Sequence, residues 1–142
     1  MSRIIHIALR VEDAKKTSSF YETVFGFEHV STLLQEGKKG SNTSRHLTDG
    51  SMDLTLMQYD NDEAEEADLA GPAPCIHHFA IEVDDVEAFT KSLIDAGGKV
   101  LSEPGKVPVK FRAPGGPIAE VVPIDTFKKE NLTGGLYGPE VE

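Results

Sequence analysis

The chain has 142 residues, with 14 Lys plus Arg against 24 Asp plus Glu and a formal net charge of -10. That size suits one domain with a sizeable core, and that charge disfavours nucleic acid or an anionic membrane as partner. The lone Cys75 allows no internal disulfide, and with no signal-peptide core and no membrane-length apolar run the chain reads as cytoplasmic.

Taken in order, the first predicted element is a strand, IIHIALRV, in which Ile5, Ile7, Leu9 and Val11 share one face and Ile4, His6, Ala8 and Arg10 the other. Asp13 is placed to cap a following helix whose Thr17, Phe20, Tyr21 and Val24 form one stripe, predicted to cover the face bearing Ile5 and Ile7. After Gly26 come strand-like segments at 27–35, 43–48 and 52–59, separated by polar and Gly-containing turns. The acidic stretch 61–74 has a composition that buries little apolar surface, and it is predicted to be a solvated linker.

The second half repeats the order. A strand at 76–83 puts Ile76, His78, Ala80 and Glu82 on one face and His77, Phe79, Ile81 and Val83 on the other. A helix at 85–96, with Val86, Phe89 and Leu93 inward, stops at Gly97 and Gly98, and strands follow at 99–102, 107–112 and 118–123. The tail lacks periodicity from Asn131 on, which leaves it loose or packed over a partner subunit. The expected organisation is therefore a single domain over 1–142: repeat one to about residue 60, the linker 61–74, repeat two at 75–124 and a tail from 125.

His6 and His78 occupy the same place in the two repeats. The match runs residue by residue through His6-Ile7-Ala8-Leu9-Arg10-Val11-Glu12-Asp13 and His78-Phe79-Ala80-Ile81-Glu82-Val83-Asp84-Asp85. Each half also ends on a carboxylate between apolar neighbours, Asp53 in the first and Glu120 in the second, and such groups are rarely buried without a partner. Two imidazoles with one or two carboxylates make an N/O site suited to Fe, Zn, Ni, Co or Mn as the divalent ion. The absence of thiolates argues against a closed structural zinc. The competing interpretation makes His6 a hydrogen-bonded core residue and pairs Glu120 with Arg10 or Arg112. Asp53 is the weaker candidate, because its alignment needs a one-residue gap near Gly50. The other histidines, His29, His46 and His77, read as structural or surface groups, and of the three His46 has the best chance of lying near the cavity as an acid or base. Cys75 has no activating partner in sequence, and Gly115 and Gly116 read as a turn.

FYETVFGFE, IHHFAIEVDDVEAF and RAPGGPIAEVVP together resemble the vicinal oxygen chelate superfamily, also called the glyoxalase, bleomycin-resistance and dioxygenase superfamily. The resemblance implies an α+β fold of two βαβββ modules forming a curled mixed sheet around a cavity. It also implies metal ligands at His6, His78 and Glu120, with Asp53 in the region of the remaining ligand. The activity it implies is proton transfer of the glyoxalase or methylmalonyl-CoA epimerase kind, through a metal-stabilised enediolate or enolate. Glu120 or Asp53 would be the base. An Fe(II) extradiol dioxygenase, with His46 as proton carrier, and a metal-free binding protein of the bleomycin-resistance type are the alternatives. The expected partners are a small molecule with adjacent oxygens and a second copy of the chain in a homodimer.

Overall fold

The computed structural model describes Ser2–Glu142. Strand β1 (Ser2–Arg10) leads into helix α1 (Ala14–Phe25), then β2 (Glu28–Glu36), β3 (Ser41–Thr48) and β4 (Asp53–Tyr59); the second half gives β5 (Cys75–Val83), α2 (Val86–Asp95), β6 (Lys99–Val100), β7 (Val109–Arg112) and β8 (Ile118–Pro123). The eight strands form one curled sheet in the order β2-β3-β4-β1-β5-β8-β7-β6. Within each half the last strand returns parallel to the first, β4 beside β1 and β8 beside β5. The halves join through antiparallel β1 and β5, so both modules pair within one chain.

The two helices start alike. Asp13 accepts the Lys16 amide and Asp85 accepts the Ala88 amide, each satisfying a donor that the first helical turn leaves free. Gly26 ends α1 in the left-handed region (φ 71°), where a side chain would be strained. The helices cover the outer face: α1 lies over Leu47, Leu56 and Val11, and Val86 and Leu93 of α2 pack on Val83, Val109 and Val121.

The predicted helical stripe is rotated. Ala14 and Ser18 are the buried residues of α1, whereas Phe20 and Val24 are 55% and 56% exposed. Ser18 turns inward because its hydroxyl accepts from Arg45 Nε (2.7 Å) and donates to Glu22 Oε2 (2.6 Å). A polar contact thus takes the position that apolar spacing gave to Phe20. Phe89 likewise lies at the exposed margin of α2.

Strand alternation also fails at two places in the β1–β5 ladder, where the register shifts between Ile4 and His6 and between Ala8 and Leu9. The first bulge lets Ile5 pack with Ala80, Val122 and Phe127, not beneath α1. The second leaves His77 unpaired between Ala8↔His78 and Leu9↔Ile76; His77 is buried and Ile76 is 72% exposed, the reverse of the predicted faces.

The acidic crossover is a folded wall, contrary to the solvated linker expected. A 3-10 turn at Ala67–Ala70 sits inside it, and Ala64 and Ala67 are buried. Buried Arg10 ties it down: Nη1 donates to the carbonyls of Ala67 (3.1 Å) and Gly71 (2.9 Å) and to Asp68, and Nη2 donates to Asp62 (2.6 Å). Arg10 thus supplies a large part of the order that the segment's own composition withholds, and the Lys39 amide on Glu65 Oε1 (2.6 Å) and Arg112 on the Leu69 carbonyl (3.3 Å) add to it.

The tail packs on its own chain. Phe127 enters the cavity, the short helix α3 (Lys129–Leu132) buries Leu132, and the chain then runs along the free edge of β2, where Pro139 O accepts from Leu34 N and Thr32 O accepts from Val141 N. Among the described residues no helix is long and apolar enough to cross a membrane.

Candidate metal centre and active site

The inner face of the curled sheet encloses a cavity of about 270 Å³. His6 reaches it from β1, His78 from β5 and Glu120 from β8, all three buried. His6 Nε2 lies 3.2 Å from His78 Nε2, which lies 3.1 Å from Glu120 Oε1. The convergence follows from register: Ala80, two residues beyond His78, pairs with Glu120, so the imidazole and the carboxylate come from neighbouring strands on one face.

What lies behind each imidazole decides its tautomer. Asp53 Oδ2 accepts from His6 Nδ1 at 2.5 Å, and Asp53 also accepts from Thr55 Oγ1 (2.5 Å) and from His46 Nδ1 (2.8 Å). On the other side, the Glu66 carbonyl accepts from His77 Nε2 (2.8 Å). His77 Nδ1 is then unprotonated and accepts from His78 Nδ1 (2.8 Å). Both relays leave the facing Nε2 atoms of His6 and His78 as bare lone pairs.

With both rings neutral, three acceptors meet there, and a proton added to His78 would sit on Nε2 and be given to Glu120 Oε1. Nitrogen and oxygen donors about 2.1 Å from one centre lie roughly 3.0 Å apart at right angles and 3.4 Å apart in a tetrahedron. The 3.1 and 3.2 Å separations fall in that window. The donor set fits a divalent cation of borderline softness.

Asp53 stands behind this group. It faces His6 across β1–β4 and binds Nδ1, the nitrogen turned away from His78. The place in the first half that corresponds to Glu120 is held by Thr55: Ala8 pairs with Thr55 as Ala80 pairs with Glu120. His6, His78 and Glu120 are thus the residues brought together, and Asp53 and His46 form a dyad beside them. Burial would by itself raise the pKa of both carboxylates, but His46 and His6 around Asp53, and His78 and Lys110 around Glu120, outweigh it and hold both far below the usual range. Desolvation lowers the pKa of His6, which keeps its ring neutral.

Sequence reasoning missed Lys110, Glu66, Phe127 and the part played by His77. Lys110 is buried in the cavity wall, with Nζ 2.7 Å from Glu120 Oε2 and 3.3 Å from Glu66 Oε2. It takes the place that sequence reasoning offered to Arg10 or Arg112 as partner of Glu120. The signal was available: in a hairpin centred on Gly115, residues 110 and 120 are equidistant from the turn, and they pair. The Phe127 ring stacks on His6 at 4.2 Å between centroids and 4° between planes. No periodicity in the tail announced it.

A sequence model described as the Glyoxalase/Bleomycin resistance protein/Dioxygenase superfamily matches residues 3–114. The chain belongs to this superfamily. Among curated proteins, a probable lactoylglutathione lyase of Vibrio cholerae is 35% identical over 115 residues, covering 74% of each chain. Among solved structures, a methylmalonyl-CoA epimerase in complex with methylmalonyl-CoA and NH4+ superposes with TM-score 0.68 at 23% identity, over 88% of this chain and 96% of that one. The methylmalonyl-CoA epimerase of Mycobacterium tuberculosis gives TM-score 0.66 at 18% identity, over 84% and 86%. These structures share the superfamily's paired-module sheet, and the eight-stranded curled fold expected from the sequence is the one observed.

Proposed function

We propose that this superfamily member is a divalent-metal-dependent enzyme of the lactoylglutathione lyase kind, moving a proton between adjacent carbons of a small substrate that carries oxygens on both. The observation that carries the reading is the meeting of three potential metal donors, His6 Nε2, His78 Nε2 and Glu120 Oε1, beside a further buried imidazole, His46. The similarity to the Vibrio protein supports it. Lactoylglutathione is a 2-hydroxyacyl thioester, and its isomer is the hemithioacetal of a 2-oxoaldehyde. The two differ in which of two neighbouring carbons bears hydrogen.

His6, His78 and Glu120 would hold the cation, which when bound supplies positive charge to the substrate oxygen as that oxygen becomes anionic. The residues supply the rest. Asp53 has three donors on its two oxygens and Glu120 Oε2 is taken by Lys110, so neither carboxylate is free to collect a proton. His46 is better placed: its Nδ1–H is given to Asp53, which leaves Nε2 as the basic nitrogen of a residue lining the cavity. Nε2 takes the proton from one carbon while the electron pair moves to oxygen. The same Nε2–H then returns it to the neighbouring carbon while the hydroxyl proton on the first carbon's oxygen passes to the second carbon's oxygen, so one base serves both carbon half-steps. Phe127, stacked on His6, keeps water from that side of the ligand ring.

The test compares thioester formation from methylglyoxal and glutathione by chelator-treated protein before and after Zn, Ni or Co is restored. Metal-dependent turnover is expected, and equal rates in both states would reject the reading. A His46→Gln variant should lose about 10²- to 10⁴-fold in turnover with unchanged metal content.

A three-donor set with Thr55 at the fourth place also leaves the positions that an extradiol Fe(II) dioxygenase needs. Oxygen uptake with catechols by the Fe(II)-loaded protein would favour that second reading. Because both modules close within one chain, all the proposed ligands come from one protomer. A homodimer, tested by sedimentation, would serve stability or the cavity mouth.

A further inference from the structure

The two oxygens of Glu120 keep different company. Oε1 lies 3.1 Å from His78 Nε2, among the proposed metal donors, and Oε2 lies 2.7 Å from Lys110 Nζ. The arrangement has no parallel in the first half. There Ala8 pairs with Thr55 and Thr55 with His46; here Ala80 pairs with Glu120 and Glu120 with Lys110. Corresponding places thus carry an imidazole in one half and an ammonium in the other.

Lys110 is fixed at both ends. Its amide donates to Ser102 Oγ (3.0 Å) and its carbonyl accepts from Leu101 N (2.7 Å), while its Nζ stands between Glu120 and Glu66 in the cavity wall. Two carboxylates keep this buried ammonium charged. The charge bears on how Glu120 can bind a metal. An ionised carboxylate offers one oxygen or both. Binding through both would put the metal on Oε2, the atom that already bears the ammonium, with little water to screen the two cations from each other. Binding through Oε1 alone keeps the carboxylate between them.

We propose that Lys110 is a positioning residue that restricts Glu120 to one metal-binding oxygen, Oε1, and so keeps a coordination place open for a substrate that binds through two oxygens. The proposal deepens the functional reading above and rests on its metal site. The count of places explains the need. Zinc takes four donors and expands to five, and His6, His78 and Glu120 Oε1 with two substrate oxygens already fill that shell. A second oxygen from Glu120 would compete with the substrate.

The test uses zinc-loaded protein, X-ray absorption at the zinc edge, and calorimetry with acetohydroxamate, a small ligand with two adjacent oxygens. In the parent, the Glu120 carboxylate carbon should lie at the longer distance from zinc that single-oxygen binding gives. Lys110→Met keeps the apolar stem and removes the charge. It should draw that carbon in to the chelate distance and weaken acetohydroxamate about 10-fold with zinc still bound. Glu66→Gln leaves the ammonium on Glu120 and should match the parent in both measurements, whereas a merely structural role for Lys110, tying the crossover to the wall, would make the two variants alike. Lys110→Gln, which retains a donor without the charge, should behave as Lys110→Met and stands in for it if that variant does not fold. A carbon distance unchanged in the Lys110 variants, with acetohydroxamate affinity kept to within about twofold, overturns the proposal. Zinc held through both Glu120 oxygens in the parent sinks this proposal alone, whereas failure of the parent to bind zinc sinks the metal reading and this one with it.

Discussion

His77 has no place among the proposed metal donors, yet its Nδ1 lies 2.8 Å from His78 Nδ1 and offers that nitrogen's proton an acceptor. Replacing it by Phe keeps a ring in the space beside Tyr59 and removes the acceptor for His78 Nδ1–H. Bound-metal affinity should fall about 10- to 100-fold, measured by competition with a chromogenic chelator, while far-ultraviolet dichroism stays as in the parent. Asp53→Asn should act in the same way on His6, because a neutral amide oxygen is a weaker acceptor for Nδ1–H; the same titration reads it, and affinity equal to the parent would refute the orienting role. At this scale the sequence was partly legible. Repeat spacing singled out His6 and His78, and apolar neighbours singled out Glu120; the structure brings the three side chains together. Thr55 was obscured because Asp53 carries the more conspicuous chemistry, and only the pairing Ala8↔Thr55 shows which residue corresponds to Glu120. His77 was assigned to the wrong face because a bulge cannot be read from alternation.

Among the elements, the acidic crossover shows how one residue overrides composition. Arg10 gives up its hydration for two carbonyls and two carboxylates of that segment, and its guanidinium lies 5.5 Å from the centre of the Tyr59 ring. Arg10→Met retains the apolar stem and deletes the charge. It should cost about 2–3 kcal/mol in urea unfolding, given the usual worth of hydrogen bonds to charged groups, and should open 61–74 to proteolysis before the rest of the chain. An unchanged cleavage pattern would show that the crossover holds itself. The segment also matters to the site, since it supplies the Glu66 carbonyl that orients His77 and a carboxylate for Lys110. Glu66 adopts φ 67°, an uncommon conformation for a residue with a side chain, in making both contacts. The strands and both helices were legible because hydrophobic period and Asp caps agree with the fold. The crossover was not, because its order comes from partners distant in sequence, Arg10, Lys39 and Lys110 among them.

For the molecule as a whole, four buried groups that titrate below neutral pH, His6, His77, Asp53 and Glu120, push stability the same way with pH. Desolvation lowers the pKa of His6 and of His77, so as pH falls below about 6.5 the unfolded chain takes up protons that the folded chain refuses. Asp53 and Glu120 are also depressed, and their contribution, intact above the ordinary carboxylate range, is lost as pH falls through it and beyond. Chelated protein should therefore melt at a lower temperature at pH 5.5 than at pH 7.5, and lower again below pH 4. A melting temperature flat from 7.5 to 5.5 would mean that the folded rings take up protons as readily as the unfolded ones, and one that rises on acidification would mean that they are protonated already.

The meeting of the halves along β1 and β5 has a consequence for assembly. Each half closes its own ladder, β4 beside β1 and β8 beside β5, whereas the proposed donors straddle the seam, His6 on one side and His78 with Glu120 on the other. An ion held there can grip only a molecule whose halves have docked. It would act as a latch, slowing their separation while leaving the interior of each half untouched, and removing it should raise hydrogen exchange first along that seam.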